Sequence, residues 1–314
     1  GRFFYMLRVQ NISFSYSDKI ILSDVNFSVL KGQSIALIGE SGSGKSTLLK
    51  TIYGLVDVNK GEIYWKAEKV LGPAHHLVPG MPFMKYLAQD FDLMPFVSVA
   101  ENVGRFLSNF YLKEKAEKVT ELLKVVGMTE YADVKAKLLS GGQMQRIALA
   151  RVLALEPELL LLDEPFSHID YHLKNELSEH VFTYCKQKNI TVIYTSHTPE
   201  EILKFSDQIV ILRKGELVEK DVPHHIYELP KTEYIAQLTG EVNLIPVRYL
   251  GVQNEEVLLV RPHQFFISSQ GYQGRIVNSY YNGRVYVLKV QFHDLILSIE
   301  NRENLEGYIN FQIR

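Results

Sequence analysis

Apolar and polar residues alternate over residues 7–16 and again over 23–30, the period of half-buried strands. A short apolar, β-branched run at 33–38 predicts a third strand. The chain then passes through glycines and serines into a helix over 48–53. Further on, the period changes to that of helices. Residues 113–126 place Leu122, Leu123, Val125 and Val126 on one side, 143–155 end before Pro157, and 171–188 form a long third helix. Leu159-Leu160-Leu161-Leu162 is apolar at every position, the pattern of a strand covered on both faces. Residues 191–195 and 208–212 add two more strands, while 88–101 is mixed. Strands alternating with helices predict an α/β fold around a parallel sheet.

After about residue 240 the helical period disappears. Short strands are predicted at 242–249, 257–260, 265–268, 274–279, 284–292 and 295–299, with Asn282-Gly283 as a turn signal. This divides the chain into 6–240 and a small all-β domain at 241–314, joined by Leu238-Thr239-Gly240-Glu241. The 314 residues, 46% of them hydrophobic, suffice for a core of this size. A net charge of −2, from 34 basic and 36 acidic residues, gives no general attraction to nucleic acid or anionic lipid. With one cysteine, Cys185, no disulfide forms within the chain; in its helical run it is read as a small buried hydrophobe. No apolar run approaches the ~20 residues of a membrane-spanning helix. Met6 is the expected start of the native chain, with no secretory signal before it.

Chemistry concentrates in the first part. Gly39-Glu40-Ser41-Gly42-Ser43-Gly44-Lys45-Ser46-Thr47 fits G-x-x-x-x-G-K-[S/T] between a predicted strand and a predicted helix. Its glycines let the backbone curl so that amides face an anion, and the helix adds its positive end. Lys45 is a compact cation for β- and γ-phosphates, and Ser46 offers a hydroxyl to Mg²⁺. The leucine strand delivers Asp163-Glu164 at its C-terminal end, where open α/β sheets bind ligands. Asp163 is the expected Mg²⁺ holder and Glu164 the expected general base. Leu139-Ser140-Gly141-Gly142-Gln143-Met144-Gln145-Arg146 reads as a second anion site, with Ser140 capping a helix whose first amides the glycines expose.

This LSGGQ-type sequence, together with the phosphate loop, resembles the ATP-binding cassette (ABC) family. The resemblance implies a P-loop NTPase cassette with a mixed sheet and a helical subdomain at about 90–155. It implies ATP and Mg²⁺ as ligands. Gln89 matches the family glutamine that reaches metal and attacking water, and His197 the switch histidine on the γ-phosphate. Asp170 matches the acid of the loop after the Asp-Glu pair, and Tyr16 the aromatic that stacks on adenine. Two positions depart from the pattern: His168 stands where a small residue is usual, and Met144 replaces a common polar residue.

In the family, two cassettes sandwich ATP head to tail, so Ser140 and Gly142 are expected to act on a partner's nucleotide, with Gly141 and Gln143 also expected to bind nucleotide. A homodimer is the simplest pairing, with a different cassette as the alternative partner. Transport implies separate transmembrane permease subunits, at the cytoplasmic face of the membrane. Phe91, Leu93, Met94 and Phe96 are read equally as permease-docking residues or as subdomain core. Residues 241–314 resemble the OB-like (TOBE) domain of binding-protein-dependent importers, through Gly240-Glu241-Val242-Asn243, Val260-Arg261-Pro262-His263 and Gly274-Arg275-Ile276. This implies Mg-ATP-driven solute import with a substrate-binding protein. The alternatives are an exporter or lipid-extraction ATPase and a soluble non-transport ABC ATPase. Tyr249, Tyr272, Tyr280, Tyr281 and Tyr286 invite a nucleic-acid reading. Seven basic and seven acidic residues leave that domain with no basic stripe, so nucleic acid is not expected. His75-His76 and His224-His225 lack partners at ligand spacing and are not expected to hold metal.

Overall fold

The computed structural model describes residues 5–88 and 91–314. Strands β1 (Tyr5–Tyr16) and β2 (Lys19–Leu30) form a hairpin. Strand β3 (Ser34–Ile38) runs through the glycine loop into α1 (Lys45–Tyr53). Strand β4 (Lys60–Trp65) pairs with β1, and the short β5 (Glu68–Lys69) with β4, giving an antiparallel sheet in the order β2-β1-β4-β5. Next come β6 (Met84–Leu87), α2 (Val99–Gly104), α3 (Leu112–Val125), α4 (Gly141–Ala154) and β7 (Leu159–Leu162). They are followed by α5 (Tyr171–Gln187), β8 (Thr191–Thr195), α6 (Pro199–Phe205), β9 (Gln208–Arg213) and β10 (Glu216–Asp221).

The central sheet has the order β10-β9-β3-β8-β7-β6, parallel except for β10, which folds back antiparallel on β9. All four leucines of β7 are fully buried, as a strand with both faces covered requires. Strands β3, β8 and β7 are neighbours, so their C-terminal ends open onto one place. Helices α2, α3 and α4 pack on one another, with Val103, Val119, Leu122 and Ile147 buried. Ser98 and Glu101 close a capping box on α2, and buried Asn102 ties the segment before it through both amide groups to the backbone of Met94. Of the four apolar residues read there as docking or core, Phe96 is exposed under Lys137, whereas Phe91, Leu93 and Met94 are half-buried.

The chain divides into two compact units, one ending at Pro223 and one covering His224–Arg314. The division thus precedes the change in composition at 240, and the reason is Arg261. This side chain, 1% exposed, donates to the carbonyls of Tyr227, Ala236, Gly240 and Glu241 and to the hydroxyl of Thr239. It thereby gathers α7 (Pro223–Glu228) and α8 (Glu233–Thr239) to the β segment.

Strands β11 (Asn243–Pro246) and β12 (Val257–Val260) pair as a hairpin. Strands β13 (Phe265–Tyr281), β14 (Tyr286–Phe292), β15 (Leu295–Asn301) and β16 (Tyr308–Ile313) form an antiparallel sheet ordered β15-β14-β13-β16. Ile245, Phe265, Leu288, Phe292, Ile299 and Phe311 lie in the core of this unit. The two strands predicted within 265–279 are one long strand whose pairing with β16 shifts between Ile267 and Tyr272. Among the described residues no helix is long and apolar enough to cross a membrane.

Candidate active site

The loop from β3 to α1 curls as its glycines demand: Gly39, Gly42 and Gly44 all take positive φ. A Cβ on Gly39 would lie 2.4 Å from the Leu212 carbonyl and 2.5 Å from Ser43 Oγ, so the approach to β9 leaves no space for a side chain. Lys45 folds back under the loop, its Nζ donating to the carbonyls of Gly39 (2.8 Å) and Glu40 (2.9 Å). Burial pushes its pKa below the ordinary lysine value, while Glu164, Asp163 and Glu40 pull it back up. An ammonium held in this way, beside a curl of backbone amides at a helix start, has the charge and setting to receive phosphate.

Asp163 and Glu164 emerge from the end of β7. Asp163 is 5% exposed, and its Oδ1 accepts from Thr195 Oγ1 at 2.8 Å. The same Thr195 oxygen accepts from the Glu164 amide at 2.8 Å. Tyr86, on β6, has its phenol pushed up by burial first and then by the Asp163 charge. Glu164 has φ 49, a left-handed backbone that costs a non-glycine residue roughly 1–2 kcal/mol. Its Oε1 lies 2.8 Å from His197 Nε2, which follows β8. The loop carrying His197 is braced by the buried Glu201, which accepts from Ser196 Oγ at 2.6 Å and pairs with Lys174 at 2.8 Å.

Ser41, Gly42, Gly44, Lys45, Ser46, Thr47, Glu164 and His197 together line an open cleft of about 580 Å³, joined by Lys19, Ile20, Ile21 and Lys214. Tyr16 is not in this lining; it is exposed at the end of β1, its ring edge-on to Phe14 at 4.7 Å. Gln89 lies outside the described residues.

Ser140 caps α4 through a capping box with Gln143, and Asp170 heads α5. Neither these residues nor Gly141 and Gly142 line the cleft of their own chain. Among the described residues no group of three or more His, Cys, Asp or Glu side chains is arranged to hold a metal ion unaided. Ser46 and Asp163 supply oxygen only, the donor type of Mg²⁺, whose remaining positions are ordinarily filled by phosphates and water.

Thr195, Tyr86, Glu201 and Lys174 carry no motif of their own, Gln145 lies in the signature sequence without an assigned role, and what each does emerges only from packing. Gln145 bridges α4 to the Glu164 turn, donating to the Glu164 carbonyl and accepting from the His168 amide, both at 3.1 Å.

The ABC transporter family model matches residues 22–167. The Fe(3+) ions import ATP-binding protein FbpC of Haemophilus influenzae is 31% identical over 322 aligned positions, covering 94% of this chain and 92% of that protein. This chain belongs to the ABC transporter family. The spermidine/putrescine import ATP-binding protein PotA of Thermotoga maritima is 34% identical over 256 positions, covering 81% of this chain and 68% of that protein. Among solved structures, a dimeric ATP-binding cassette in a post-hydrolysis state bound to ADP and Pi is 27% identical. Its TM-score is 0.61 over 69% of this chain and 99% of that one. A nucleotide-free cassette from an ABC transporter has a TM-score of 0.63 at 25% identity, over 76% and 100%. The chain is thus an ABC ATPase of the import type, with the cassette fold and ATP as its nucleotide.

Proposed function

We propose that this ABC subunit hydrolyses Mg-ATP in a head-to-tail pair of cassettes and so drives solute import through separate permease subunits. The observation that carries the reading is the convergence of Lys45, Glu164 and His197 on one cleft, with Asp163 buried directly behind it. The P-loop amides from Gly39, Glu40, Ser41, Gly42, Ser43 and Gly44, with Lys45 and Thr47, hold the phosphates. Tyr16 stacks on adenine. Ser46, Asp163 and Gln89 hold Mg²⁺, which when bound neutralises phosphate charge. Glu164 orients and deprotonates the attacking water. His197, within 2.8 Å of Glu164, contacts the γ-phosphate and keeps that carboxylate in register.

Ser140, Gly141, Gly142, Gln143 and Asp170 act on the nucleotide of the second cassette. Their position outside their own chain's cleft supports this composite site. A homodimer at the cytoplasmic face of the membrane, served by a substrate-binding protein, is the corresponding assembly. The import relative that aligns over 94% of the chain favours this over an exporter.

Replacing Glu164 by Gln is the test. Hydrolysis should fall about 100-fold or more while ATP binding persists, and ATP should convert the purified chain to a stable dimer by size-exclusion chromatography. Turnover at the unaltered rate would refute the assignment of the base.

A further inference from the structure

The start of α4 and the turn after β7 are joined at two places. At the first, Gly142 lies so close to His168 that an added Cβ would stand 2.6 Å from the His168 carbonyl oxygen. At the second, Gln145, 2% exposed, uses both ends of its amide. Its Nε2 donates to the Glu164 carbonyl and its Oε1 accepts from the His168 amide. A buried amide with both ends engaged has no cheap alternative arrangement, since losing either partner leaves a desolvated polar group. Glu164 also has left-handed backbone, so its carboxylate direction depends on what holds its peptide. Ser167 Oγ donates to the same carbonyl at 3.1 Å, but from within the turn, without reaching α4.

We propose that Gln145 is a positioning residue that makes the aim of Glu164 depend on the placement of α4. It thereby couples engagement of one nucleotide by residues 140–143 to the catalytic carboxylate of the same chain, which serves the other nucleotide. The proposal rests on the reading of Glu164 as base and of residues 140–143 as acting across the dimer. A shift of α4 on closing moves Gln145, and the two hydrogen bonds carry that shift into the 164–168 backbone.

The full chain tests this with Gln145→Met, which keeps the length of the side chain and removes both hydrogen bonds. ATP affinity and ATP-driven dimerisation should stay within about twofold of the unaltered chain while kcat falls about tenfold or more. Ser167→Ala should cost kcat less than about threefold. In the Glu164→Gln background, ATP should slow amide exchange across residues 164–168. Adding Gln145→Met should leave the dimer and abolish that slowing. Should Gln145→Met not fold, Gln145→Glu serves, because it keeps the acceptor for His168 and loses the donor to Glu164. A kcat unchanged by either variant, or slowing that survives in the double variant, overturns the coupling. Glu164→Gln that fails to lower hydrolysis instead overturns the reading of the base.

Discussion

The Thr195 hydroxyl sits between the two carboxylate residues, donating to Asp163 and accepting from the Glu164 amide. It fixes the side chain of the first and the peptide of the second with one atom. Thr195→Val keeps the shape and removes the atom. It should cost about 1–3 kcal/mol in urea unfolding, because buried partners lose a bond. It should also lower ATP turnover about tenfold or more, and Thr195→Ser should restore most of both. Asp163, Glu164 and Lys45 were legible in the sequence because their motifs place chemistry beside a strand end. Thr195 was not, since a threonine ending a β-branched strand looks like any other until β8 lies beside β7. Cys185 matches its reading as a buried hydrophobe: it is 2% exposed, and burial pushes its thiol up to about 12.

Among the elements, α4 shows how a local signal and a tertiary contact combine. Ser140 and Gln143 complete a capping box, an N-terminus readable from Ser-Gly-Gly-Gln alone. The need for glycine at 142 comes instead from the His168 carbonyl, which belongs to a segment more than twenty residues away. Gly142→Ala should therefore lower stability by about 1–3 kcal/mol, through forced displacement of backbone. It should reduce hydrolysis while fluorescent-nucleotide titration shows the P-loop still binding. Strands β4 and β10 and the single long β13 were not predicted. Strand β4 and the edge strand β10 carry charged residues that hide their period, and β13 passes through the turn-like Ser268-Ser269-Gln270-Gly271 because its register shift with β16 absorbs the extra residues.

At the scale of the molecule, the two compact units should respond differently to substitution. Arg261→Met removes the guanidinium that donates to the carbonyls of Tyr227, Ala236, Gly240 and Glu241. It should lower the melting temperature of the second unit, followed by the fluorescence of its tyrosines, while ATP still stabilises the cassette. Acid should act on the first unit through two carboxylates. The hydrogen bond from Lys118 holds Glu156 below its ordinary 4.5, and that from Lys66 does the same for Glu158. Both carboxylates thus bind protons more weakly folded than unfolded. Their contribution is complete above about pH 4.5 and is lost as pH falls through their lowered values. Thermal melts from pH 7 to pH 3 should show this loss, and Glu156→Gln should flatten the acid limb.

The sequence by itself determined the α/β cassette, the phosphate loop, the acidic strand end and the capped signature helix. Each is encoded in neighbouring residues through hydrophobic period, glycine and cap chemistry. The tertiary structure alone decided that β3, β8 and β7 lie side by side, which brings Lys45, Glu164 and His197 to one cleft from three distant segments. It also decided the supports, Thr195, Glu201, Gln145 and Arg261. These depend on which hydrogen-bonding groups are buried against one another, and burial is a property of the packed chain that no local pattern contains.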